Sequence, residues 1–202
     1  MSALLSDPDN PRFAKWQDYS PPTFHPEVQG GVHAAREALR NAWSRSSRDR
    51  MDARACWAAA VEGVWWTMAL DDVFETQLGA VYNSARDADR YGQVVGAFRW
   101  IRHRHAHEMV STATAGPARN FFGPHPEPGA LFYISPSIRW KRSGEVHSEH
   151  DRQPKLRPLY DAHVGGRPIG STLESAWTWF DRVISACGLE GPSTSEDPSV
   201  LT

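Results

Sequence analysis

The chain has 202 residues, long enough for one well-buried domain, and with 40% hydrophobic and 23% charged residues it is too apolar for a disordered protein. A formal net charge of −2 excludes a global electrostatic pull toward nucleic acid or an anionic membrane, so any such binding has to come from a local patch. Two cysteines, Cys56 and Cys187, exclude a disulfide framework, and neither a signal-like start nor a membrane-length apolar run is present, so the expected location is the cytoplasm.

In chain order, residues 1–28 hold Pro8, Pro11, Pro21, Pro22 and Pro26 without a sustained period and read as an extended arm. Val32, Ala35, Leu39, Ala42 and Trp43 recur at helical spacing and predict a short amphipathic helix over 31–46. Asp52 is placed to cap a long helix over 53–82, whose apolar stripe is Trp57, Val61, Val64, Trp65 and Met68. The stretch Asn83–Asp89 reads as a turn, and a second long helix is predicted over 89–111, with Val94, Phe98, Ile101 and Met109 on one face. Two long helices joined by a short turn are expected to pack antiparallel. Residues 112–130 read as a loop, and Leu131–Ile134 with Ile138–Lys141 as a β-hairpin over about 131–141. A polar stretch, 142–153, precedes a short helix near 155–164, and Ser171 is placed to cap a last helix reaching Cys187. The expected fold is therefore mainly α, a helical bundle on the 53–82 and 89–111 pair. A single domain would span 29–188 with an insertion over 112–153, and 189–202 would be a disordered tail. Nine tryptophans are many for one small core, so some are expected at a subunit interface.

The densest chemistry lies in Arg99-Trp100-Ile101-Arg102-His103-Arg104-His105-Ala106-His107-Glu108. On a helix His103 and His107 fall one turn apart, while His105 falls on the apolar stripe and reads as a packed core histidine. Arg102 lies about 140° around the axis from His107, so the two flank a groove or meet through a symmetry mate. The pairing suits phosphodiester cleavage without metal. An imidazole that titrates near neutrality moves the proton of a ribose 2′-hydroxyl, and a guanidinium offers a fork of donors to the charge developing on phosphoryl oxygens.

Arg102-His103-(three residues)-His107 resembles the Arg-polar-x3-His signature of HEPN domains, over about residues 30–111. The resemblance implies a helical bundle acting as a dimeric, metal-independent ribonuclease. Arg102 would contact the scissile phosphate, His107 would act as general acid or base, and His103 would be the polar residue beside the arginine. The implied partners are RNA and a second copy of the chain, with no cofactor.

Asp71 and Asp72 interrupt the apolar stripe seven residues after Val64 and Trp65, so each needs a basic partner, and one of them could orient Arg102. A nucleic-acid face could be built from Arg99 and Arg104 together with Arg139, Trp140 and Arg142. The last three lie in a basic run, 139–157, that also holds Lys141, Arg152, Lys155 and Arg157. The same hairpin could equally be an ordinary solvated one with Trp140 packed inward. Two other readings stay open. One is a non-catalytic interaction or oligomerisation module that uses the Trp-rich and Arg-rich faces to bind a protein partner. The other is a metal site built from His103 and His107 with Glu108, His147, Glu149 and His150.

Overall fold

A computed structural model describes residues 21–48, 52–107, 112–115, 137–146 and 153–189. These residues form six α-helices, α1 (Pro26–Arg48), α2 (Ala53–Leu78), α3 (Ala80–Ala88), α4 (Arg90–His107), α5 (Arg157–His163) and α6 (Ile169–Ala186). One two-stranded antiparallel sheet joins β1 (Ala113–Ala115) to β2 (Ile138–Trp140). No helix among the described residues is long and apolar enough to cross a membrane.

Local chemistry sets most helix ends. Pro26 opens α1 five residues before the predicted start, since its fixed φ and missing N–H suit a first helical position. Asp52 caps α2 as its position implied, with Oδ1 accepting from the backbone N–H groups of Arg54 and Ala55 at 2.8 and 3.1 Å. Gly79, at φ 59°, stops α2 at Leu78, short of the expected end at 82. The segment Asn83–Asp89, expected as a turn, instead lies largely within α3. Its polar residues favour turns in isolation, but helical spacing buries Tyr82, Ala85 and Arg86, and that burial prevails. Asp89 then caps α4, its Oδ1 accepting from the N–H groups of Tyr91 and Gly92. At α6 the N-cap position is Pro168 rather than Ser171, whose hydroxyl instead donates to the Pro168 carbonyl.

The strand pairing also differs from the expected hairpin. Ile138–Trp140 pairs with Ala113–Ala115, in the register Ala113 opposite Trp140, within a stretch read as loop. Leu131–Ile134 lies outside the described residues, as do 1–20, 108–111 and 190–202. Period-two burial turns Ile138 and Trp140 inward and leaves Arg139 half-buried.

The core gathers around α4, which touches α2, α3, α5 and α6. Val94, Val95, Ala97, Phe98, Trp100 and Ile101 are all buried, so this helix is apolar on more than the single stripe that the sequence suggested. Aromatic rings fill the layer around it. Trp100 stacks on Tyr160 at 4.4 Å, Phe98 lies against Trp140, and Phe74 stacks between Tyr82 and Phe180. Trp100, Trp140 and Trp179 are thus core residues, whereas Trp65 and Trp66 are exposed.

Candidate functional site

Arg99, Arg102 and His103 follow one another at helical i, i+3 and i+4 spacing and share one face of α4. They open onto a cleft of about 500 Å³ whose other walls are Asp72 of α2 and the turn Gln153–Leu156 ahead of α5. Contacts along α2 and α4 run in opposite chain directions. Arg99 meets Asp71 and Glu75, Arg102 meets Asp72 and Trp65, and His105 meets Trp57.

Beneath the cleft lies a buried polar network. Asp71 is fully buried, and its carboxylate accepts from Arg99 Nε and Nη2 at 2.9 and 2.7 Å, from Arg86 Nη1 at 3.1 Å and from the Tyr82 hydroxyl at 2.8 Å. Trp179 Nε1 donates in turn to the Tyr82 hydroxyl at 3.2 Å, so the network joins α2, α3, α4 and α6. Burial opposes the charge on Arg99, yet Asp71 and Glu75 more than offset it and the guanidinium pKa rises. The same competition, with Asp71 prevailing, raises Arg86. Chiefly through its hydrogen bond from Arg99, Glu75 is held below the ordinary carboxylate range. Burial, reinforced by the Asp71 charge, pushes the Tyr82 hydroxyl well above its usual value. Carboxylate oxygens of Asp71, Asp72 and Glu75 lie within 4.8 Å of one another. Asp71 and Glu75 already neutralise Arg86 and Arg99, so this cluster is an ion-pair network rather than a cation cage.

At the surface, Arg102 Nη1 donates to Asp72 Oδ2 at 3.3 Å, and its Cζ lies 5.6 Å from the Trp65 ring centroid. The Arg102 and Asp72 side chains are 39% and 55% exposed, so their ion pair orients the guanidinium without adding much stability. Asp72 is therefore the acid beside Arg102, and Asp71 serves Arg99 and Arg86. His103 lines the cleft. His107 is the last residue of α4, and its side chain lies outside the described residues, as do Glu108, His147, Glu149 and His150.

Two expected nucleic-acid contacts are not on the surface. Trp140 is fully buried, with Nε1 donating to Thr172 Oγ1 at 2.6 Å, because its strand position turns it into the core. Arg104 is 3% exposed, with its guanidinium 4.9 Å above the Trp100 ring, so it is a packed side chain rather than a phosphate contact. Arg139 is tied to the Gly166 carbonyl at 3.0 Å, Arg142 is exposed, and neither lines the cleft. His105 is a core residue as its place on the stripe implied, with Nε2 2.8 Å from Thr112 Oγ1. Burial lowers its pKa to about 4.

Two residues join the site that the motif did not select. Lys155 reaches the cleft from the far end of the basic run. Trp65, assigned to the apolar stripe, is 43% exposed beside Arg102. It shares the solvent face of α2 with Ala58, Ala69, Asp72 and Thr76 at spacings of three, four and seven, but the two alanines give that face too little polarity to separate it from the apolar stripe. In comparisons with known proteins, no family model, no curated protein and no solved structure matches the chain.

Proposed function

We propose that the cleft binds and cleaves RNA, and that the chain is a HEPN-like, metal-independent endoribonuclease working as a homodimer. The observation that carries this reading is the convergence of Arg99, Arg102, His103 and Lys155 on one cleft. Arg102 and Lys155 would hold the phosphodiester and spread the charge that develops on its non-bridging oxygens. An imidazole takes the 2′-hydroxyl proton as that oxygen attacks phosphorus. The bond to the 5′-oxygen breaks, and a second acid protonates the leaving group, giving a 2′,3′-cyclic phosphate and a 5′-hydroxyl. His103 and His107 are the two imidazoles, one turn apart on α4, and a two-fold axis would bring Arg102 and His107 of different copies together. The cations of the cleft supply the charge that a divalent ion would otherwise bring.

The test is cleavage of total RNA and tRNA in EDTA, with wild type beside Arg102→Ala, His103→Ala and His107→Ala. Cleavage by wild type, lost in Arg102→Ala, His103→Ala and His107→Ala without unfolding, is expected. Cleavage that persists in Arg102→Ala overturns the assignment. A second reading, a non-catalytic interaction module, draws on the exposure of Trp65 and Trp66, and it predicts no cleavage by any of the four proteins.

A further inference from the structure

Trp65 is an indole on the solvent face of a helix, an arrangement that core packing does not explain. The residue stays 43% exposed even with the Arg102 guanidinium over its ring, so apolar area beside Arg102 still faces water. Arg102 is held from two directions at once, by the Asp72 carboxylate and by the ring. The fork of donors and the aromatic surface therefore lie side by side, the ring against Arg102 and Arg102 lining the cleft that also holds Lys155.

We infer that Trp65 stacks an unpaired base next to the phosphate bound by Arg102, so that the cleft takes single-stranded nucleic acid in preference to a duplex. The inference rests on the RNA-binding reading above and gives it a substrate class. A phosphate site alone cannot tell RNA from any other polyanion, whereas an indole adds a surface that only an unstacked base can cover. A paired base already stacks on its neighbours and would leave the Trp65 ring wet. Trp66, 36% exposed on the same helix, has no guanidinium over it among the described residues and is the natural comparison.

The experiment measures binding of fluorescein-labelled octadeoxyadenylate, which lacks the 2′-hydroxyl that the proposed cleavage needs, to the full chain. Oligomeric polyphosphate serves as a competitor that carries charge without bases. Trp65→Ala is expected to weaken oligonucleotide binding about five- to 150-fold, the equivalent of ~1–3 kcal/mol per stacked base. Trp65→Phe should retain most of the affinity, while polyphosphate binding and the response of Trp66→Ala stay near wild type. The stacking role is overturned if the wild type binds the strand and Trp65→Ala binds it equally well. It is also overturned if Trp65→Ala loses polyphosphate in parallel, or changes only the oligomeric state. Failure of the wild type to bind any single strand would instead sink the nucleic-acid reading itself.

Discussion

Asp71 and Arg99, 28 residues apart, are joined by two hydrogen bonds onto a single carboxylate oxygen, Oδ2. Asp71 holds Arg86 with the same buried group, so one acid sets the angle between α2, α3 and α4. Removing a partner from a buried ion pair leaves uncompensated charge and costs about 3–5 kcal/mol. Asp71→Asn should lower stability by that order, read as a drop in the urea midpoint. Its neighbour in sequence, Asp72→Asn, breaks only a solvated pair and should cost less than about 1 kcal/mol. Equal losses from the two substitutions would mean that burial is not what distinguishes them.

The approach of α3 to α4 depends on Gly92. A Cβ there would lie 2.3 Å from the Arg86 carbonyl oxygen and 2.7 Å from the Arg86 Cα, and backbone cannot swing away as a side chain can. Gly92→Ala should therefore destabilise by about 1–3 kcal/mol. Gly30, in α1, has open space around the same position, and Gly30→Ala should stabilise by about 0.5–1 kcal/mol through helix propensity alone. Thermal melts of the two variants should move in opposite directions.

Much of this arrangement is written locally and some of it is not. Helical periods and the cap at Asp52 depend on residues within a few positions of each other, and both were legible, whereas Asp89 was read as the end of a turn and its capping of α4 was not. The pairing of Ile138–Trp140 with Ala113–Ala115 rests on contacts more than twenty residues apart, and Ala-Thr-Ala has too little pattern to announce a strand. At the site, an acid beside Arg102 was legible only as Asp71 or Asp72, both read as interrupting the apolar stripe; Asp71 does so, whereas Asp72 lies on the exposed face of α2. Trp65 was not legible, because an indole within an apolar run is read as core until a neighbouring helix shows which face it occupies. Trp140 left two readings open, a stacking surface between arginines or a side chain packed inward, and the pleat of its strand decides for the second.

His105 makes stability depend on pH. Its folded-state pKa, about 4, lies below the 6.5 of a free imidazole because burial among Trp57, Trp140 and Thr112 disfavours the charge. Between pH 6.5 and 4 the unfolded chain binds a proton that the folded chain does not. Stability should therefore fall as pH drops through that window, by at most about 3 kcal/mol from this residue. His105→Gln, which keeps an amide near Thr112, should show a shallower decline. Urea midpoints taken at pH 7.5, 6 and 5 for both proteins isolate the contribution, and parallel curves would assign the decline to other groups.

Lys155 separates binding in the cleft from diffuse attraction. Each phosphate contact on a single strand contributes about 0.7 to the slope of log affinity against log salt. Lys155→Gln should reduce that slope for octadeoxyadenylate by about this amount and weaken binding alike for every sequence, as loss of a phosphate contact does. Arg142 is also exposed and basic but does not line the cleft, so Arg142→Gln should leave the slope unchanged. If the two substitutions flatten the slope equally, the strand is held by the general field of the 139–157 run and not by the Arg102 cleft. Arg102 would then have no privileged access to a phosphate, and the case for chemistry at that residue would fall with it.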